Sequence, residues 1–316
     1  MPVSKNVIAH FKKFMMLKQI ILFFLCTGLA YHLMAQQADT TDLMAQLEKE
    51  VAAQNATSYT IATFKTTRLI NGHTVETLGK SVLDVKISHR FGTLNNGAYQ
   101  LFGLDNATMR MGFDYGITNN LMVGIGRSTY QKTFDAFFKV KILRQSSGKK
   151  KMPFTICYVP TIALRTLDWG DSSQKYPFSS RLSYTHQLII ARKFSEALSL
   201  QIMPTFIHRN LSPLIAEPND LLAIGIGGRQ KLTKRTSFNV EYYYMIPGYK
   251  IKGTTNSLSL GFDIETGGHV FQLHFTNTRA MTEKSFISET TGKWEKGDIL
   301  FGFNISRVFN IGKKKS

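Results

Sequence analysis

Residues 83–309 alternate between large apolar and small or polar side chains, which is the pattern of β-strands with two different faces. In residues 83–91 the odd positions are Leu, Val, Ile, His and Phe, and the even positions are Asp, Lys, Ser and Arg. Most segments have the roughly 9–11 residues that a tilted strand needs to cross a bilayer. Twelve segments follow this pattern, at 83–91, 107–117, 120–130, 134–143, 153–166, 180–192, 197–208, 221–231, 236–246, 255–264, 269–278 and 298–309.

The chemistry of the two faces favours a membrane barrel. One face is aromatic and aliphatic, and the other carries Gly, Ser, Thr and charged residues. Backbone polar groups in lipid must be paired within the protein, so a sheet in the membrane closes into a barrel. A soluble β-sandwich or lipocalin-like barrel also alternates, but it would carry fewer large apolar side chains outside. The sequence therefore predicts an all-β fold in which residues 81–316 form a transmembrane antiparallel β-barrel of about 12 strands.

Residues 1–35 have the features of a secretory signal peptide. Four lysines, at positions 5, 12, 13 and 18, precede an apolar run at 20–33, and Ala35 is the expected cleavage site. A membrane anchor is the alternative, but the run is shorter than the ~20 residues that a spanning helix needs. Cleavage lowers the formal charge from +18 to +14 and leaves Cys157 as the single cysteine. We therefore expect an exported outer-membrane protein without an internal disulfide.

Residues 36–80 lie between the signal and the barrel. Leu43, Leu47 and Val51 recur at intervals of four residues, which predicts a short amphipathic helix. Residues 57–80 are polar and rich in threonine, with Asn71-Gly72 as a turn signal. This lead-in is an extra strand, a periplasmic segment or a small plug in the barrel lumen, and the sequence leaves the three open.

The lengths of the connections predict the orientation of the barrel. Periplasmic turns are short in such barrels, and external loops are longer. The first gap, 92–106, is long, the next is tight, and long and short gaps mostly alternate. We therefore expect the first strand to run outward and both termini to be periplasmic.

This orientation predicts a basic collar at the periplasmic end. The collar touches anionic lipid headgroups or simply keeps the turns soluble. Nucleic acid is not an expected partner, because the protein is exported. The collar consists of Lys149, Lys150, Lys151, Arg192, Lys193, Lys234 and Arg235.

A second group of polar residues is expected at the outer mouth. It is either a recognition site or gate for a small solute, or a salt-bridge network that stiffens the barrel wall. The group consists of His89, Arg90, Asp105, Asn106, Arg110, Asp135, His208, Arg209 and Asn210.

Several single residues are expected to shape the lumen. Pro160 and Pro204 fall within strands, and proline cannot donate to the ladder, so we expect a β-bulge at each. Inward Phe137, Leu143, Val159 and Tyr243 would narrow the path.

Three blocks of sequence, SHRFG (88–92), GLDNA (103–107) and PTFIHRN (204–210), resemble an uncharacterised outer-membrane β-barrel family of unknown function that is found widely in Bacteroidota. ATFKTTR (62–68) and YGIT (115–118) resemble it too, and the likeness runs from about residue 62 to 309. The resemblance implies the fold and the outer-membrane location, and it implies no activity.

Three functions remain open at this stage. The first is a narrow pore or transporter for a small solute, and the second is a structural or loop-binding barrel without a through-path. The third is a membrane-embedded lipid hydrolase, whose pattern places a nucleophilic Ser two residues after a His. His186 is followed by Leu188 and His208 by Asn210, so that pattern is missing. We therefore expect no enzymatic activity, no cofactor and no metal site.

Overall fold

The computed structural model describes residues 50, 56–169, 175–212 and 217–312. The predicted signal peptide and nearly all of the predicted amphipathic helix lie outside these residues. The chain divides into two units, residues 1–55 and 56–316, and the second contains the barrel.

Twelve antiparallel strands close into a barrel, in which the last strand pairs with the first strand of the barrel. Every strand begins and ends within two residues of its predicted bounds, so the predicted fold is confirmed. The strands are β2 (Val82–Thr93), β3 (Ala107–Gly116), β4 (Leu121–Ser128), β5 (Thr133–Leu143), β7 (Thr155–Arg165), β8 (Leu182–Lys193), β9 (Leu198–Arg209), β10 (Asp220–Lys231), β11 (Thr236–Met245), β12 (Ser257–Thr266), β13 (His269–Thr276) and β14 (Leu300–Asn310).

The remaining elements are short. Strands β1 (Thr57–Tyr59) and β6 (Ser146–Gly148) pair with each other outside the barrel. Helix α1 (Glu283–Ser288) lies in the connection between β13 and β14. In the part of the chain that the structure describes, no helix has the length and apolar character to cross a membrane. The other helical turns are 3-10 helices at Leu94–Asn96, Ala98–Gly103, Tyr130–Lys132, Phe178–Arg181 and Trp294–Lys296.

The alternation of the sequence separates the lumen from the outer surface. In β2 the even positions 84 to 90 are buried, and the odd positions stay partly exposed. The register pairs Ser88 with Arg110 and Lys86 with Gly112, so polar residues of neighbouring strands share the inner face. The outer face carries large apolar side chains such as Ile125, Ile226 and Phe262, which are 61%, 53% and 44% exposed.

The two rims of the barrel differ. At the terminal end, where β2 begins and β14 ends, most connections have two to four residues, and the exception is 144–154. At the opposite end the connections are mostly long, including 94–106, 166–181 and 277–299, although 129–132 is short.

The prediction of a β-bulge at each of the two prolines is wrong. Pro160 pairs with His186, and Pro204 pairs with Ile224, both in unshifted register. Towards its other neighbour each proline strand skips two pairs and then resumes the same register. A missing amide is therefore accommodated by a local gap in the ladder.

The register shifts lie elsewhere, between Leu300 and Gly302 and between Lys141 and Leu143. The second shift explains why Leu143, expected to face inward, is 37% exposed. Phe137 and Tyr243 do face the interior and are buried.

The outward apolar band gives a test of the membrane face. We expect Ile226→Arg, midway along β10, to lower the free energy of unfolding from a bilayer by about 2–4 kcal/mol. The matched change Ile311→Arg, one residue beyond β14, should cost only about 0–1 kcal/mol near the interface. Urea titration of the barrel in lipid vesicles measures both, and equal costs would contradict the assignment of the outer face.

Candidate functional site

Residues 62–79, which precede β2, lie inside the barrel. We call these residues the luminal segment. Leu69 N–H donates to Gly72 O at 2.8 Å, and the backbones of Arg68 and His73 form an antiparallel β-bridge. The segment therefore turns back on itself as a hairpin. The arms of the hairpin leave at the terminal end, where the Arg229 side chain contacts the Ala62 carbonyl and Gly79 touches Gly116. The hairpin therefore enters and leaves the lumen through one rim.

Glu241 of β11 holds the tip of this hairpin. Its carboxylate accepts the backbone N–H groups of Ile70, Asn71 and Gly72 at 3.2, 3.2 and 2.9 Å. A tight turn leaves such donors unpaired, and burial makes an unpaired donor costly. Arg90 also donates to Asn71 Oδ1 at 2.8 Å. A buried carboxylate and a buried guanidinium thus fix the turn from two sides of the wall.

Lys139 of β5 provides the complementary contact for carbonyl groups. Its ammonium donates to the backbone oxygens of Thr67, Thr74 and Glu76 at 2.9, 2.9 and 3.0 Å. Wall amides supply further donors to the hairpin carbonyls, and the pairs are Gln272 to Leu69, Gln201 to His73 and Asn304 to Ile70.

The wall carries its own ion pairs beside the hairpin. Lys86 Nζ lies 3.0 Å from Asp84 Oδ2 and 2.6 Å from Asp114 Oδ2. Arg110 Nε donates to Asp135 Oδ1 at 2.9 Å, and a second guanidinium nitrogen pairs with the other carboxylate oxygen. Such two-point pairing fixes both side chains across the β3–β4–β5 wall.

A second insert comes from the opposite end. We call residues 277–299, which contain α1, the inward loop. Glu283, Ser285, Phe286 and Ile287 are fully buried, and the Phe286 ring packs edge-on against Tyr243 with centroids 5.3 Å apart. The lumen therefore holds two inserts, one from each rim.

The two inserts meet at an ionic interlock of Arg68, His73 and Glu283. Arg68 NH1 lies 2.6 Å from Glu283 Oε1, and His73 Nε2 lies 3.2 Å from the same oxygen. Burial, with Arg68 and Lys139 nearby, lowers the pKa of His73 to about 3. Burial alone would raise the pKa of Glu283, but Arg68 and His73 outweigh it and hold that pKa below its usual value. The interlock is therefore a neutral imidazole beside a carboxylate–guanidinium pair.

The structure divides the predicted outer-mouth group into three sets. Arg90, Arg110, Asp135 and Arg209 face the interior. Arg110 pairs with Asp135, whereas Arg90 donates to Asn71 and Arg209 donates to the Pro218 carbonyl. His89 faces outward and stacks on Phe303 at 5.1 Å.

The other four members lie apart from this inner set. His208 is on the outer face, with Nδ1 2.6 Å from Asp220 Oδ1. Asp105 and Asn106 are exposed in a loop, and Asn210 donates to Ser179 O at 2.9 Å. Among the nine residues as described, Arg110 with Asp135 is the one pair from different strands in direct contact, and Arg90 also donates to the carbonyl of its neighbour His89 at 2.9 Å.

The predicted basic collar lies at the terminal end. Lys149, Lys150 and Lys151 follow β6, and Lys234 and Arg235 form the β10–β11 turn. Arg192 lies 5.9 Å from the Phe154 ring centroid and 5.1 Å from that of Phe194. Lys193 pairs with Glu196 at 2.9 Å. Arginine beside aromatic rings is a common arrangement at a membrane interface.

Comparison with known families matches residues 64–309 to the family described as membrane bound beta barrel domain (DUF5777). The chain belongs to this family. The match begins inside the luminal segment, so the family domain includes most of the hairpin as well as the wall. A comparison with curated proteins finds no match.

Several solved structures of outer-membrane barrels are similar to this family member. An outer membrane channel from Pseudomonas putida F1 has a TM-score of 0.45 and 12% identity, over 74% of this chain and 98% of that chain. The NanC porin has a TM-score of 0.44 and 8% identity, over 72% and 98%. Omp33 from Acinetobacter baumannii has 0.40 and 8%, over 73% and 99%. The likeness concerns the fold and assigns no solute.

No sequence motif identifies the residues that hold the hairpin. Glu241, Lys139 and Glu283 carry no motif, although strand parity places the first two on the inner face. A charged residue at an inward position is the one signal that was available. Among the described residues, no cluster of His, Cys, Asp or Glu has the arrangement of a metal site.

The interlock predicts that acid loosens the hairpin. Docked His73 takes up a proton only near pH 3, whereas a free histidine does so near pH 6.5, so stability falls as the pH drops below 6.5. Glu283 acts in the same direction below pH 4.5, because its docked pKa is depressed. We expect the hydrogen-exchange protection of the Leu69 and Thr74 amides to fall by up to about tenfold per pH unit.

His73→Asn is the matched variant for this measurement, because asparagine does not titrate. Its protection should change little between pH 6.5 and pH 5, while the amides of β10 serve as the internal control. If protection in the variant still falls with pH as in the parent protein, titration of His73 does not contribute to the stability of the interlock.

Proposed function

We propose that this protein is an outer-membrane channel for a small solute that is closed in this state by the luminal segment and the inward loop. The observation that supports it is the way the hairpin is held. Both of its arms leave through the terminal end, and it is held by hydrogen bonds to the wall and by the ion pair of Arg68 with Glu283 of the inward loop. A hairpin inserted from one rim withdraws without opening the barrel or threading the chain.

The wall behind the hairpin fits a solute path. Apart from glycines and Leu300, its inward residues on β2, β3 and β14 are polar or charged, including Ser88, Asp114 and Ser306. These groups remain satisfied by one another or by water when the hairpin leaves, whereas a purely apolar lumen would not be wetted.

The membrane arrangement is part of the proposal. We infer that the terminal end faces the periplasm and that the basic collar touches anionic headgroups there. The short turns and the Arg192–Phe194 contact at this rim support this orientation. Withdrawal of the hairpin would then be towards the periplasm.

A structural or loop-binding barrel without a through-path is the second candidate. The observation that favours it is the filling of the lumen by two buried inserts. Apolar side chains of both inserts, Phe64, Leu69 and Phe286, pack against inward residues of the wall. The two candidates differ in whether the hairpin leaves under any condition.

A single added methyl group distinguishes these candidates. A Cβ on residue 72 would collide with the Tyr243 hydroxyl, and Tyr243 is itself fully buried against Met203 and Phe286. We expect Gly72→Ala to displace the hairpin tip and to raise the open probability in planar bilayers about tenfold, since overpacking costs about 1–3 kcal/mol.

Gly79→Ala is the control in the same segment, because its nearest contact would be Val82 Cγ2 at 3.6 Å. It should conduct like the parent protein, with rare discrete openings. A folded Gly72→Ala barrel that stays electrically silent would support the barrel without a through-path.

A further inference from the structure

A small pocket opens at the opposite end between the wall and the inward loop. It has about 430 Å³ of empty volume, part of it continuous with solvent. The ends of β5, β7, β8 and β9 at this rim form its wall, and the inward loop contributes Lys284 and Glu289. We call it the mouth pocket. The residues that matter here are Arg165, Trp169, Arg181, Arg209, Lys284 and Glu289.

The charge of the mouth pocket is not balanced by its own residues. Lys284 pairs with Glu289, and the other pairs that face the pocket are Arg181 with Asp168 at 3.4 Å and Arg209 with Glu217 at 3.5 Å. Arg165 forms no ion pair within the described residues. Its guanidinium carbon lies 4.2 Å from the Trp169 ring centroid, a contact that orients the cation without neutralising it. One positive charge is therefore left over.

The hydrogen-bonding capacity of the pocket points to the same kind of ligand. Arg165 Nε, Trp169 Nε1 and Arg209 Nε are buried donors that find no acceptor in the part of the chain described. The Arg209 side chain is only 5% exposed. Unpaired buried donors are costly, and three of them in one wall are unusual. A ligand that complements them offers acceptors and negative charge and needs no donor.

We propose that the mouth pocket binds the carboxylate, phosphate or sulfate group of a small solute. Arginine presents a planar fork that matches such groups, and the indole N–H adds a third, neutral donor. Arg165 and Arg209 lie at inward positions of the wall, which favours a ligand from the aqueous side over a lipid. That the bound anion is the solute of the channel rests on the proposed function, whereas the binding itself does not.

The test measures binding without any conductance. The chain contains two tryptophans, Trp169 and Trp294, so Trp294→Phe leaves the pocket indole as the single reporter. The full-length protein in phosphatidylcholine nanodiscs is titrated with inorganic phosphate and with sulfate. We expect a saturable change in Trp169 emission that Arg165→Gln weakens about tenfold, the loss of one charge-assisted hydrogen bond.

Arg127→Gln is the matched control, because it removes the same charge from the outer face of β4, where Arg127 lies 5.3 Å from the Phe134 ring. It should leave the affinity unchanged. If Arg165→Gln does not fold, Arg165→Lys keeps the charge but loses the Nε donor and should weaken binding less. Equal weakening by Arg165→Gln and Arg127→Gln, or no saturable titration with either anion, overturns the proposal.

A second arm distinguishes the source of the anion. Nanodiscs that contain phosphatidic acid are compared with pure phosphatidylcholine discs in the absence of free phosphate. A change in emission that requires phosphatidic acid and is not produced by free phosphate or sulfate would assign the pocket to a lipid headgroup. It would overturn the proposal that the ligand is a small solute. Binding of free anion to a barrel that stays closed in every conductance measurement would keep the pocket and reject the channel.

Discussion

The pairing of backbone polar groups governs both the wall and its contents. Twelve strands use their amides and carbonyls on one another, and closure between β14 and β2 leaves no edge in lipid. The wall then has no backbone groups left for anything placed inside it. The hairpin can therefore be held only by side chains, and they must be long and polar. Glu241 for three amides and Lys139 for three carbonyls are the direct result of that constraint.

The lumen combines two kinds of wall, and each has a different effect on the inserts. Strands β7 to β11 contribute apolar side chains such as Val159, Ile189 and Met203, and these pack with Leu69 and Phe286 of the inserts. The inward side chains of β2 and β3 are instead mainly charged, as in Lys86 and Arg110, and β14 adds Asn304 and Ser306. Burial of apolar surface favours any arrangement that excludes water, whereas the directional contacts select one position. Because much of the polar wall is paired within itself, as in Lys86 with Asp84 and Asp114, the inserts are not needed to satisfy all of it.

The sequence was most informative where the structural signal is local. Strand bounds follow from alternation between neighbours, and parity correctly placed Arg90, Arg110 and Asp135 on the inner face. Contacts between distant residues had no such signal. Glu241 and Ile70 are 171 residues apart, and nothing near either one indicates the other. Position along the strand suggested that His89 and His208 join the mouth group, but side-chain parity places both on the outer face. The hairpin itself is polar and has no clear period, so its burial depends on acceptors and donors supplied by remote strands.

The interlock makes the two inserts dependent on each other. If the hairpin withdrew alone, Glu283 would remain buried without Arg68, and removing one partner of a buried pair costs about 3–5 kcal/mol. The same cost applies if the inward loop left first. In the proposed channel, movement of either insert therefore favours movement of the other, which is the basis of a cooperative gate. Lys284 follows Glu283 directly and lines the mouth pocket. An anion that competes with Glu289 for Lys284 would act first on the inward loop and, through Glu283, on the hairpin. In the proposed channel, two adjacent residues of α1 would thus link an anion bound at one rim to the segment inserted from the other.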